Sequence, residues 1–108
     1  MKDILGKLKA SYIPMTEATF LVLASFRAER YGYAAAQAVS QMTGGRVKLG
    51  TGTVYTIISK LLKDKMIEVV KEDDRRKIYR ITALGELVLK EEAKRLTELS
   101  LIAGDILR

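Results

Sequence analysis

The chain contains no cysteine and no histidine. Together these absences exclude disulfides, thiol nucleophiles and imidazole bases, and they remove the usual ligands of structural zinc. Carboxylate chemistry survives in principle, but the acidic residues lie in Lys/Arg-rich segments that read as solvated helix faces. The sequence therefore points away from an enzyme and calls for no cofactor and no metal. Tryptophan is also absent, phenylalanine occurs twice and proline once. The longest purely apolar run, Phe20 to Ala24, is far short of the roughly 20 residues needed to cross a bilayer, and Met1 to Lys7 lacks a signal-peptide apolar region. A cytoplasmic protein with no membrane partner is expected.

What is present suits one folded domain. The 108 residues are 48% hydrophobic and 30% charged, which is neither a disordered nor a membrane composition. A single domain over residues 1–108 follows, since domains commonly hold roughly 100 to 150 residues. The net charge of +6 is unevenly placed: residues 46–80 carry ten Lys/Arg against five Asp/Glu, whereas 81–108 carry four against five. Localised positive charge attracts phosphate, and it also serves simply as a solubilising surface, so charge alone leaves both readings open.

Periodicity supplies the order of elements. Ile4, Leu5 and Leu8 sit at helical spacing in a segment of residues 1–13 that Pro14 stops. Thr16 is an N-cap for a helix over about 16–29, whose centre, Phe20 to Ala24, is apolar nearly all round and belongs at the middle of the core. Ala35, Ala38, Val39 and Met42 then mark an amphipathic helix closed by Gly44-Gly45. Gly50-Thr51-Gly52-Thr53 opens another, with Val54, Ile57, Ile58 and Leu61 on one face and Thr53, Thr56, Ser59, Lys60 and Lys63 on the other. These glycines lack the Gly-Lys-Ser/Thr ending of a phosphate loop and read as turn and helix-start residues.

Met66 to Lys71 and Lys77 to Ile81 are β-branched-rich runs separated by Glu72-Asp73-Asp74-Arg75-Arg76, a loop of hairpin size. The ribbon thus carries Arg75, Arg76 and Lys77 at its tip, within reach of a minor groove or flanking phosphates, with Asp73 and Asp74 either pairing with them or setting the turn. Thr82 caps a last helix running to the C-terminus. Its seam of Leu89, Ala93, Leu96, Ser100 and Ala103, widened by Leu84, Val88, Leu99, Ile102 and Ile106, is more apolar helix than one small domain easily covers. Either it folds back on its own core or it meets a second copy, and isologous dimers are the commonest soluble oligomers.

The predicted fold class is mainly α with a small two-stranded β wing: a winged helix-turn-helix over 16–82 and a C-terminal dimerisation helix over 83–108, with residues 1–13 adding to the dimer interface. Such a domain is chiefly a reader of duplex DNA. Arg46, Lys48, Lys60, Arg76 and Lys77 are candidates for phosphates, and Thr51, Thr53, Thr56 and Ser59 for the groove edge. Tyr33 and Tyr55 suit the border of such a surface, where a ring packs inward and its hydroxyl faces phosphate; half-buried packing is the competing role. A winged helix that only joins a protein assembly is the alternative function.

From these residues the chain resembles the PadR-like transcriptional regulators. The likeness runs through Tyr31-Gly32-Tyr33, Gly52-Thr53-Val54-Tyr55, Leu61 to Ile67, and Arg75 to Gly85, which is similar to that family's basic wing, second strand and Thr-x-x-Gly helix start. It covers about residues 16 to 96. The resemblance implies a homodimeric repressor on a double-stranded DNA operator, with Tyr33, Tyr55, Lys60 and the wing arginines among the DNA contacts. It also implies a small aromatic or apolar effector, for which Phe20, Phe26 and the last helix offer a pocket, although no tryptophan is there to stack on a planar ligand. Where the family often has Ser-Pro before the Gly-Thr pair and proline after the tyrosine, this chain has Gly50-Thr51 and Thr56. The short C-terminal region points to the compact branch with one C-terminal helix.

Overall fold

A computed structural model describes residues 2–108. The elements run α1 (Lys2–Tyr12), α2 (Glu17–Ser25), β1 (Arg30–Tyr31), α3 (Ala34–Met42), α4 (Thr51–Lys63), β2 (Ile67–Asp73), β3 (Arg76–Ile81) and α5 (Ala83–Ile106). This is the mainly helical winged-helix architecture expected from the sequence.

The central helix is α2. Thr16 caps it, its hydroxyl oxygen accepting from the Thr19 N–H at 3.1 Å. Val22, Leu23 and Phe26 are wholly buried, and the Phe26 ring meets Tyr79 edge-on with centroids 5.6 Å apart. The helix ends at Ser25, earlier than the expected 29. Phe26 and Arg27 bond back only three residues, which tightens the last turn, and Arg30 Nε donates to the Ser25 carbonyl at 2.6 Å, satisfying one of the acceptors a helix end leaves open.

The wing is larger than two strands. The sheet order is β1-β3-β2, all antiparallel, with Arg30 opposite Tyr79 and Tyr31 opposite Ile78. Two residues leave no period-two signal, so the segment read as a break between helices is in fact a third strand. In β2 a bulge between Val69 and Lys71 interrupts the register with β3. At the tip, Asp73 pairs with Arg76, and the two residues between them, Asp74 and Arg75, both have positive φ, 50° and 72°. That is the backbone a two-residue type I′ hairpin turn demands.

The start of α5 is locked to the core by contacts at one glycine. Thr82 Oγ1 donates to the Lys65 carbonyl at 2.7 Å and accepts from Gly85 N at 3.0 Å, while Thr82 N bonds the Met66 carbonyl at 3.0 Å. A Cβ on Gly85 would fall inside that same Met66 carbonyl and within 2.9 Å of Ile81 Cγ1, so only glycine fits the approach.

Further along α5, Val88, Leu89 and Glu92 are buried, and every residue after Leu96 is exposed. Val88 and Leu89, both expected on the dimer seam, are instead part of the core of their own chain. Their place within one helical turn of Gly85, in a helix that packs against α2, explains the difference. The first helix also packs inward: Leu8 and Tyr12 of α1 belong to the same core, and Lys9 pairs with Glu91 of α5 at 3.7 Å. Among the described residues no helix is long and apolar enough to cross a membrane.

Candidate nucleic-acid interface

Two elements project a polar, basic surface from this frame. The first is α4. Its Val54, Ile58 and Leu61 are buried, which turns Thr53, Thr56, Ser59, Lys60 and Lys63 outward. Thr51 at its first turn is exposed too, and the N-cap is Gly50, which has no side chain to occupy the helix's first N–H groups. The hydroxyl of Thr56 donates to the Gly52 carbonyl at 2.9 Å, so that side chain offers a groove its oxygen lone pairs and its methyl group.

The second is the wing, and it meets α4 at a cleft of about 250 Å³ lined by Tyr31, Gly32, Tyr33, Tyr55, Arg75, Arg76, Lys77 and Tyr79. The geometry follows from local packing. Tyr31 and Tyr33 stack with centroids 5.4 Å apart, and the Arg76 guanidinium carbon lies 5.5 Å from the Tyr33 ring centroid. Tyr55 leans from α4 against Gly32, where a Cβ would stand 3.1 Å from its ring, so the absence of a side chain there lets the helix and the strand approach. Tyr79 closes the floor. Burial, reinforced by the nearby Tyr55 and Glu72, raises its hydroxyl pKa and keeps the phenol protonated. Tyr33 and Tyr55 remain 56% and 41% exposed, enough for both to touch a partner while their rings pack.

The other cations are differently engaged. Arg46 is bound by Glu17, and each strengthens the charged form of the other, lowering the Glu17 pKa and raising that of Arg46. Lys60 lies over the Tyr12 ring at 4.5 Å and donates to Asp64 at 3.3 Å, drawing it toward α1. Lys48 is exposed on the α3–α4 connector. Asp73 and Asp74 form no ion pair with the wing arginines among the described residues; Asp74 instead supplies one of the two left-handed turn positions. The expected contacts therefore divide. Thr51, Thr53, Tyr55, Thr56 and Ser59 lie along α4, and Tyr33, Arg75, Arg76 and Lys77 gather at the cleft, while Arg46 and Lys60 have partners within the chain.

Phe26, expected in an effector pocket, is wholly buried against Tyr79 and is not among the residues that line the cavity beside Phe20. Phe20 does line one, a cavity of about 430 Å³ shared with Met15, Leu21 and Leu96, with Glu17 and Arg46 at its rim. Sequence reasoning also missed Glu92 on the same wall. Its carboxylate is buried, accepts the Met15 N–H at 2.7 Å, and is bound by Arg95 at 2.6 and 3.0 Å, which together hold its pKa down, Arg95 contributing most. A Glu-x-x-Arg spacing in a charged helix carries no sign of which carboxylate turns inward.

Comparison with known proteins agrees with this frame. The Transcriptional regulator PadR-like family matches residues 21–91. An uncharacterized protein of Lysinibacillus sphaericus is 35% identical over 74 residues, covering 65% of this chain and 68% of its own length. The crystal structure of a PadR-like transcriptional regulator from Bacillus cereus superposes with a TM-score of 0.69 at 24% identity, covering 84% of this chain and 91% of that one. A PadR family transcriptional regulator from Eggerthella lenta gives the same TM-score at 23% identity, covering 99% of this chain and 91% of its own.

Proposed function

The chain belongs to the PadR-like family of transcriptional regulators, and on that premise we propose that it is a homodimeric repressor which binds an operator through α4 and the wing. Membership in a family of regulators also places it among DNA-binding proteins and outside the enzymes. The observation that carries the finer reading is the cleft: Tyr55 of α4 and Arg75, Arg76 and Lys77 of the wing wall the same cavity, so the helix and the basic ribbon tip adjoin one another. An α-helix with small polar side chains fits the major groove, whose base edges are read by hydrogen bonds. The wing beside it then meets the flanking backbone or minor groove.

Dimerisation is supported by the last turns of α5, where Leu99, Ile102 and Ile106 are exposed along one side. Two copies joined there would set their α4 helices on half-sites about one DNA turn, or ~34 Å, apart. Relief by a small molecule is supported by the cavity between α2 and α5. Its apolar wall of Phe20, Leu21 and Leu96 suits an apolar or aromatic body. That cavity touches the helix proposed to join the subunits, so its occupant would bear on subunit geometry.

Selection of bound sequences from random duplexes, followed by gel shift with excess competitor DNA, tests the reading. A palindromic consensus with half-sites one turn apart is expected. Uniform, sequence-independent retention would sink the repressor assignment and leave a winged helix that serves as a protein-interaction module.

A further inference from the structure

Six of the eight arginines have an acceptor inside the chain. Arg27 pairs with Glu86, Arg30 with the Ser25 carbonyl, Arg46 with Glu17, Arg80 with Glu29 and Glu68, Arg95 with Glu92, and Arg108 with Asp105. The guanidinium groups of Arg75 and Arg76 have none among the described residues, and both border the same cleft. Lys77, also in that wall, forms no ion pair there either. The phenol hydroxyls of Tyr33 and Tyr55 likewise donate to no acceptor among the described residues.

The cleft is thus lined by donors. Three cations and a set of phenols face a space to which no carboxylate side chain contributes. The Tyr33 ring holds Arg76 in place without consuming any of its N–H donors, because a cation over an aromatic face is attracted by the ring's quadrupole. A guanidinium fixed in this manner presents a preformed fork to an oxyanion. At about 250 Å³ the space lies below the usual range for drug-sized ligands, which runs from roughly 300 to 1,000 Å³. It suits a small anionic group.

We propose that this cleft is a seat for one phosphoryl group, filled by a backbone phosphodiester when DNA is bound and open to free phosphate when it is not. The inference rests on the DNA-binding reading of the same face and adds a discrete anion site to it. A phosphate held between Tyr55 of α4 and Arg76 of the wing fixes the helix in register along the groove, so this single contact sets where reading begins.

The first arm of the test uses no DNA. Sodium phosphate is titrated into the isotope-labelled full chain at constant ionic strength, with sodium chloride as the control, and amide shifts are followed. Saturable shifts centred on Tyr33, Tyr55 and Arg76 are expected, weakened about tenfold in Arg76→Gln, which removes a charge-assisted donor pair. The second arm replaces backbone phosphates of a bound duplex one at a time by neutral methylphosphonate. One position per half-site is expected to lose about tenfold in affinity with the wild-type protein and little with Arg76→Gln. Shifts that match sodium chloride overturn the seat even if the protein binds DNA. Saturable phosphate shifts without any sensitive backbone position overturn the contact to DNA and leave a seat for free phosphate alone. Tyr33→Phe separates the hydroxyl from the ring, and retains Arg76 while weakening phosphate.

Discussion

Tyr12 Oη donates to Asp64 Oδ2 at 2.6 Å, joining α1 to the residue that ends α4 although 52 residues separate them. The Tyr12 ring lies beneath Lys60, so the same two side chains engage this α4 cation within the chain. Burial, with the Asp64 bond added, raises the Tyr12 pKa, and the Tyr12 bond followed by Lys60 lowers that of Asp64. Tyr12→Phe keeps the ring under Lys60 and removes only the hydroxyl. A hydrogen bond to a charged group contributes about 1.5–3 kcal/mol, and with the Asp64 side chain 25% exposed about 1 kcal/mol is expected from denaturant midpoints. The pH dependence follows from the signs. A raised tyrosine pKa contributes stability that is complete below the unfolded value near 10 and is lost as pH rises beyond it. A lowered aspartate pKa contributes stability present above about 4 and lost as pH falls through the folded value. The wild type should therefore weaken above about pH 10, and Tyr12→Phe should flatten that limb without abolishing it, because Tyr79 has a raised pKa as well.

Glu92 ties the α1–α2 connection to α5 by accepting the Met15 N–H and Arg95 together. Glu92→Gln preserves shape and one acceptor but leaves Arg95 without its counter-charge. Breaking a fully buried ion pair costs about 3–5 kcal/mol, and because Arg95 is 31% exposed and regains water, about 2 kcal/mol is the expected loss in chemical denaturation. The loss should shrink at acid pH. The folded carboxyl has a lowered pKa, so its contribution exists above the unfolded value near 4 and disappears as pH falls through the folded one. A variant as stable as wild type at neutral pH would show the carboxylate to be dispensable.

The helices were legible because their apolar positions repeat with the helical period: Val54, Ile58 and Leu61 read as one face and are one face. The hairpin was legible because two β-branched runs flank a polar loop. Strand β1 was not, since Arg30 and Tyr31 pair with β3 by backbone bonds that two residues cannot announce. The cleft was half legible. Its residues were singled out from local sequence, but that Tyr33 would lie under Arg76, and Tyr55 against Gly32, depends on contacts between segments more than 20 residues apart. Lys60 shows the opposite case: its place on the exposed face was readable, whereas its partner Tyr12 comes from a helix whose docking no local pattern fixes.

Arg75 occupies a left-handed turn position with φ 72°, which costs a non-glycine residue about 1 kcal/mol or more. Asp74 beside it tolerates that region better, because its short polar side chain can bond locally. Arg75→Gly should therefore raise stability by about 0.5–1 kcal/mol, the relief being reduced by glycine's greater freedom in the unfolded chain. The same change removes a wing cation. Affinity for any duplex should fall, and the slope of log affinity against log salt should drop by about one unit. A stabilised wing with unchanged salt dependence would place Arg75 outside the DNA contact.

The strongest exposed apolar surface lies on the last turns of α5. Leu99, Ile102 and Ile106 are spaced three and four residues apart, so they share a helix side, and they are 44%, 52% and 76% exposed. No core residue of the same chain lies in this part of α5, since burial stops with Glu92 and partial burial with Leu96. Ile102→Glu puts a charge in the middle of that stripe without removing a contact from the folded protomer. Sedimentation equilibrium of the wild type should give a dimer, and the variant a monomer, because a carboxylate buried without a partner costs far more than one residue's share of an interface. The midpoint for unfolding of the monomeric variant should then lose its dependence on protein concentration, which linkage to dimerisation imposes on the wild type. DNA binding should weaken most for paired half-sites and least for a single half-site, since only the former draws on both α4 helices. A wild type that sediments as a monomer at every concentration would remove the dimer, and with it the one-turn spacing of the two reading helices.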